Sequence, residues 1–322
     1  MNRQKIITII CWLITAAVLT GLAIWFVTGN LFGIGTDFKF DFLHFSIGGI
    51  EDLSGPYSEA GTYTVPTGGV DSLNVNWTAG AIVIKPYDGT DIKLTEYAKR
   101  AIKDSEKLTY TINGTTLEVQ YNAPGPVVNL PTKKLELLVP SSLANKINYL
   151  TVNATSAELE MESLTAATLK ITETSGSTVV HDLNAGSAAI RSVSGEITVT
   201  SMTTSALTLN TVSGDIRLGS VSSGALNVTT TSGNGQLSGT FQSVETHSVS
   251  GDMTVSSSVN PATMSCASTS GEITVKIPAG ADLTVSYDST SGDFSSDIPV
   301  RTSDSAPYTF KTVSGDIRLK AA

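Results

Sequence analysis

The chain has 322 residues, of which only 15% are charged, and its formal net charge is −9. Two of its bases, Arg3 and Lys5, lie in the first five residues, so the remainder carries −11. That balance excludes a nucleic-acid footprint, which needs a basic stripe, and docking on anionic lipid headgroups; divalent cations and cationic peptides remain compatible partners.

Residues 6–28, IITIICWLITAAVLTGLAIWFVT, carry no charge. A helix of 23 residues spans about 35 Å, enough for a bilayer core. A cleavable signal peptide is the competing reading, but its apolar region is shorter and ends in a small-residue site. The run is therefore expected to be one transmembrane anchor, with Trp25-Phe26 at an interface and Cys11 facing lipid or helix. Arg3 and Lys5 precede it, which places tail 1–5 in the cytoplasm and the C-terminal domain in the extracytoplasmic space. Residues 29–62 read as a juxtamembrane linker or cap. Within them TDFKFDFLHFSIGG alternates Phe38, Phe40 and Phe42 with Lys39 and Asp41, as a strand or cap over a first rung, or an interfacial segment, would. LSGPYSEAGTY, 53–63, has the composition of a loop.

Residues 63–145 read as an irregular N-terminal layer of one domain running to 322. LNVNWTAGAIVIKPY places Leu73 and Val75 seven and five before Gly80, and Ile82 and Ile84 two and four after it. This is expected to be the first rung. Residues 92–97 and 135–139 read as strands. LTYTINGTTLEVQY, 108–121, reads as a hairpin around Asn113-Gly114 with a type I′ turn. Pro and Gly at 124–126 mark a loop.

From 146 to 322 the sequence is periodic. Ser-Gly pairs place their Gly at 176, 195, 214, 233, 251, 271, 292 and 315, with spacings of 19, 19, 19, 18, 20, 21 and 23. Ala157 holds the same place one step earlier. Apolar residues recur seven and five before the Gly (Leu207 and Leu209; Leu226 and Val228) and two and four after it (Ile216 and Leu218; Ile273 and Val275). Within each arm the period is two, that of a strand. Each repeat is strand, Ser-Gly turn, strand; it cannot bury its apolar face alone, and stacking buries it. The expected fold is all-β: a single-stranded β-solenoid, parallel β-helix-like, of ~19-residue repeats. Gly80, Gly176, Gly195, Gly214, Gly233, Gly251, Gly271, Gly292 and Gly315 are expected as structural turn residues able to take φ > 0. The Ser column is expected to form a hydroxyl ladder. The octapeptide TVSGDIRL, at Thr211–Leu218 and again at Thr312–Leu319, reads as turn and flanking strands, with Arg217 and Arg318 facing solvent.

Candidate chemistry is sparse. After each Gly runs an acidic row: Glu158, Ser177, Glu196, Asp215, Asn234, Asp252, Glu272, Asp293, Asp316. Turn chemistry accounts for it; a row of Ca²⁺ ligands is the alternative. His44, His181 and His247 fall in different columns and cannot share a metal. Cys266 sits in an inward column and reads as core. No zincin, nucleophile-elbow, P-loop or dinucleotide motif occurs, so neither catalytic residues nor cofactors nor metal ligands are expected, and binding residues are not identifiable. The row's acids lie at turns, which disfavours paired carboxylates in a cleft.

The periodic VSGD and TSGE turns, the block LNVNWTAGAIVIKPYDGTDIKLTEY and the N-terminal apolar run resemble a bacterial β-strand-repeat, adhesin-like domain family of uncharacterised function. The chain is similar to LiaG-type membrane proteins of Gram-positive cell-envelope stress operons over about residues 63–322. The resemblance implies no catalytic residues. Together these features lead to the expectation of a membrane-anchored extracytoplasmic β-solenoid that binds or scaffolds at the cell envelope without catalysis. A regulator acting through a membrane partner is the alternative, and a polysaccharide-acting enzyme a third reading. Expected partners are an envelope component or membrane protein, not nucleic acid. With nothing capping the last repeat, the C-terminal rung is expected to be an open edge suited to self-association.

Overall fold

The computed structural model describes residues 56–123, 130–279 and 283–322; the apolar run 6–28 and the Phe-rich segment 36–49 lie outside the described residues. Every strand among the described residues joins one sheet. Through its middle the coil is parallel and in register. Leu207 on β11 (Ile197–Ser213) pairs with Leu226 on β12 (Ile216–Ser232), and Leu209 with Val228. Like therefore stacks on like. The residues seven and five before each turn and two and four after it form continuous inward columns, with Leu207, Leu209, Ile216 and Leu218 all at most 4% exposed. Removing that apolar surface from water is what holds a stack of single rungs together.

The corner of each rung is the Ser-Gly pair. The Gly amide donates to the carbonyl of the Ser in the next rung, at 3.0–3.3 Å. The expected Ser hydroxyl ladder is thus a Ser carbonyl ladder. Two constraints select Gly. At Gly195 φ is +153°, and a Cβ would run into the carbonyl of Gly176 on the rung before. At Gly214 the expectation of positive φ fails, because its backbone lies outside the left-handed region; a Cβ would still meet the Gly195 carbonyl. Close approach between rungs is therefore the general reason for the column, and backbone freedom an added one. Ala157 holds its place in the column with a φ that is not positive.

The order of rungs departs from the order of the sequence at both ends. At the near end β2 (Ser72–Tyr87) pairs on one side with β7 (Ile147–Glu162) and on the other with β5 (Thr116–Gln120) and β6 (Lys133–Pro140). Gly80 aligns with both Ala157 and Lys133. The expected first rung is accordingly the second. Beyond it the chain turns antiparallel: β4 (Thr109–Asn113) pairs with β5, β3 (Asp91–Ala98) with β6, and β1 (Ser58–Pro66) with β3. β1 replaces the loop expected over 53–63 with strand from Ser58 onward, residues 53–55 lying outside the described residues. An edge strand tolerates Gly and Pro, and the register shift between Glu59 and Gly61 absorbs the irregular residue. The hairpin turn is also shifted by one residue. Asn113 pairs with Thr116, and Gly114, at φ +61°, takes the first central position while Thr115 keeps an ordinary φ, as a type II′ rather than a type I′ turn requires.

At the far end the C-terminal strands are not the edge. β20 (Tyr308–Ser314) lies between β15 (Thr263–Ser270) and β17 (Leu283–Ser291), and β21 (Ile317–Ala321) between β16 (Ile273–Ile277) and β18 (Phe294–Ser296). The Gly column accordingly runs Gly271, Gly315, Gly292. The expectation that the C-terminal rung offers the open edge is corrected: residues 308–319 are clasped on both sides, and, among the described residues, 283–298 form the outermost rung.

Candidate functional site

The acidic row after each Gly is the first candidate, and the structure shows what its side chains do. Asp215 Oδ1 accepts from the Asn234 amide at 2.9 Å, Asn234 Oδ1 from Asp252 at 3.0 Å, Asp252 Oδ1 from Glu272 at 2.8 Å, and Asp316 Oδ1 from Asp293 at 3.1 Å. Each short side chain bonds the backbone of the next rung. At Glu196 and Glu272 the carboxylate instead pairs with an Arg of the next rung, Arg217 and Arg318 respectively. Each Glu also accepts from a Thr hydroxyl, Thr198 at 2.8 Å and Thr274 at 2.6 Å. The Arg217 guanidinium holds the Glu196 carboxyl below its ordinary value. These acids are already engaged in holding one rung to the next.

The histidines stay apart. His181 Nδ1 meets the Thr200 hydroxyl at 2.9 Å, and His247 Nε2 meets Glu245 at 3.0 Å; His44 lies outside the described residues. Among the described residues no three His, Cys, Asp or Glu side chains gather to hold a metal ion. Cys266 lies in the inward column, and burial pushes its thiol up to about 12.

Three buried charged groups, Glu96, Lys133 and Glu173, escaped the sequence reading, and each carried the period-two signal that would have found it. Lys133 is in phase with Leu135 and Leu137 and is fully enclosed. Its Nζ donates to Glu96 Oε1 at 2.8 Å, to the Glu106 carbonyl at 2.7 Å and to the Asn122 carbonyl at 3.0 Å, and lies 3.9 Å from the Tyr121 ring centre. Both Glu96 oxygens also accept from the Leu108 amide at 3.0 Å. Burial pulls the ammonium below its ordinary value, and the Glu96 pair opposes this. All three ammonium donors are filled, so the group is a structural plug for the near end. Glu173 is in phase with Leu169 and Ile171. It stands in the inner column where other rungs place Ser192, Thr211 and Thr230. One oxygen accepts from Thr178 at 2.7 Å and the other has no protein partner. Burial, with Glu158 nearby, raises its carboxyl to about 7.

What faces solvent is mostly hydroxyl and backbone. A shallow groove crosses several rungs at Gly219, Ser220, Gly239, Thr240, Ser256 and Ser258. At the outermost rung the inward columns come to the surface: Tyr287 is in register with the buried Phe310 and Phe294 with the buried Ile317, yet Tyr287 is 46% exposed. Their rings stack at 4.2 Å and 7°.

A family model described as Toastrack DUF4097 matches residues 70–320. No curated protein sequence matches the chain. Among solved structures it is similar to a candidate adhesin from Parabacteroides distasonis, with 10% identity and a TM-score of 0.55 over 83% of this chain and 98% of the other. A candidate lipid-binding protein from the same organism gives 12% identity and a TM-score of 0.55 over 83% and 98%. A candidate adhesin from Bacteroides fragilis gives 14% and 0.50 over 84% and 98%. At these identities the likeness shows the fold alone.

Proposed function

We propose, for a chain that belongs to the Toastrack DUF4097 family, a non-enzymatic binding module of the bacterial cell envelope, held to the membrane through residues 6–28 with its solenoid on the outer side. The observation that carries this reading is the use of the acidic row. Its short side chains accept backbone amides and two of its Glu pair with Arg, which spends the row on rigidity rather than on proton transfer or metal binding. What the rungs then present is a stiff, hydroxylated surface suited to contact. The descriptions of the similar structures, candidate adhesins and a candidate lipid-binding protein, point the same way. The apolar run and the bases before it supply the anchor.

The test is purification of the full chain in mild detergent and passage over immobilised cell-wall polymer. Retention that survives washing is the expected result. Flow-through together with a stoichiometric membrane protein would favour a regulator instead, and release of soluble glycan fragments would overturn the non-enzymatic reading. Protease added to wall-stripped cells should degrade the solenoid; a mature chain beginning near residue 30 would remove the anchor.

A further inference from the structure

We infer that the outermost rung, Leu283–Ile298, is a docking edge that accepts an extended strand of a partner protein in which apolar residues alternate with Lys or Arg. The ladder of side-chain bonds along the turns carries the inference. Asp215, Asn234, Asp252 and Asp316 each direct an oxygen at the backbone amide of the following rung. Asp293 is the last of this row in space, and among the described residues nothing donates to its carboxylate. It is an acceptor set at the same corner of the coil with no rung to receive it.

The backbone of the same rung repeats the pattern. Val285 and Ser291 turn their carbonyls back to accept from Ser303 and Gly315, both at 3.0 Å. By strand alternation the N–H and C=O groups of Ser286, Asp288 and Thr290 point off the end of the stack, where no strand among the described residues pairs with them. An unpaired parallel edge with its amides outward templates a further strand. Beside it the stacked rings of Tyr287 and Phe294 end the inward columns in the open. A strand added in register would lay alternate apolar side chains on these rings and bury them.

Charge selects the kind of partner. Residues 283–298 hold Asp288, Asp293 and Asp297 and no Lys or Arg. On the rung beneath, Arg301 stands beside Thr284, Lys311 beside Asp288 and Arg318 beside Ser295, with Arg318 held by Glu272 and Asp316; the bases thus lie one rung in, and the outermost rung itself carries only acids. A second copy meeting this edge would set carboxylates against carboxylates, which disfavours pairing; a strand with basic residues on its outward positions would not. The inference rests on the reading of the chain as a binding module, and names the class of partner that one end of it takes.

The experiment uses the full chain in detergent and three blocked heptapeptides: alternating Lys and Val, alternating Glu and Val, and the Lys peptide with alternate backbone amides methylated. Amide hydrogen exchange across residues 284–296 is read by mass spectrometry. The Lys peptide should slow exchange there by about fivefold or more, and the other two should not. Asp293→Ala and Ser286→Pro should each remove the protection; since the second variant could disturb the rung, the methylated peptide keeps the backbone test independent of folding. Equal protection by the Glu peptide, protection elsewhere, or no protection overturns the inference. So does protection of 284–296 without peptide in a chain that light scattering shows to be dimeric, which would identify a second copy as occupant. Loss of the peptide effect with wall-polymer retention intact would overturn the docking edge alone and leave the binding-module reading standing.

Discussion

The two ends of the stack solve one problem in opposite ways. Any solenoid must end in a strand with unpaired backbone and a core layer open to water. At the near end the chain folds β4 and β3 back antiparallel onto β5 and β6, Tyr63 packs edge-on against Tyr110, and the Lys133 ammonium bonds the Glu106 and Asn122 carbonyls. At the far end the last rung in the sequence is withdrawn inside, and a rung without a basic residue is left outermost. The difference teaches that a terminal rung need not be a cap. The near end encloses a buried charge beneath edge strands β1 and β4, whereas the far end keeps Tyr287 and its last ladder acid exposed with no strand folded back over them among the described residues. Both ends share one device, a rung clasped between two others out of sequence order: β2 at the near end, β20 and β21 at the far end.

The largest effect is expected where the seal is broken. Lys133→Ala removes one partner of a fully buried ion pair and leaves Glu96 charged among apolar side chains. The expected cost is about 3–5 kcal/mol, read as a fall in the denaturation midpoint. Lys133→Met paired with Glu96→Gln should recover part of it, because the uncompensated charge is then gone. If both variants melted like the native chain, the near end would be no better sealed than the far one.

The turn glycines sharpen the comparison at intermediate size. Gly195→Val places a side chain against the Gly176 carbonyl at positive φ in the middle of the stack, where neither neighbour can move. A loss of about 3 kcal/mol is expected. Gly292→Val meets the Gly315 carbonyl at a similar φ, but its outer side is free, so the outermost rung can relax and the loss should be smaller. Gly68→Ala, with nothing within 4 Å, should fall within about 0.5 kcal/mol. Equal losses at Gly195 and Gly292 would mean that the far rung is as confined as the middle.

Above the ordinary carboxylate range, pH should act chiefly on the near half. Burial raises the Glu173 carboxyl from 4.5 to about 7, so between these values the native state holds a proton that the unfolded chain has released. Its contribution is fully present below pH 4.5, declines from there, and is gone once pH has passed about 7. The window is worth roughly 3 kcal/mol. Glu173→Gln should flatten this slope and leave the chain more stable than native at pH 8. Exchange protection measured at β8 (Thr165–Ser175) should follow pH, while that at β17 should not. A slope unchanged in the Gln variant would remove Glu173 as its source.

Much of this fold was legible in the residues. The period near 19, the inward columns and the Gly column follow from strand alternation and the need to stack, and alternation holds wherever both neighbours of a strand are other rungs. It gave no purchase on β1, whose Gly, Pro and Ser look like loop because an edge strand has only one partner to satisfy. Nor did it reveal which rung is outermost, since each rung carries the same signature wherever it sits. The buried Lys133 and Glu173 were legible in principle, each in phase with two leucine or isoleucine neighbours, but a charged residue in an inward phase is easily taken for an end of the strand.

The octapeptide TVSGDIRL did encode the far-end order, through its neighbour rather than through itself. SGEITV occurs at Ser194–Val199 and again at Ser270–Val275. In the first case the rung beside it in space is also the next in sequence, and Glu196 meets Arg217. In the second the rung next in sequence holds SGDFSS, which offers Glu272 no base, while the rung beyond holds SGDIRL. The chain sets the first outside and brings the second in, so that Glu272 meets Arg318. The same two-rung unit is thus used twice, once contiguous and once interrupted. The smallest predicted effect tests this directly. Double-mutant cycles with Gln at Glu196 and Arg217, and at Glu272 and Arg318, should give couplings of the same sign and similar size, both fading in roughly 0.5 M salt as exposed pairs do. Sequence separation differs about twofold between the pairs, so equal coupling follows only from equal spatial neighbourhood. Coupling at the first pair with none at the second would put the C-terminal rung back at the end of the stack, and with it the clasp and the open acidic edge would both be lost.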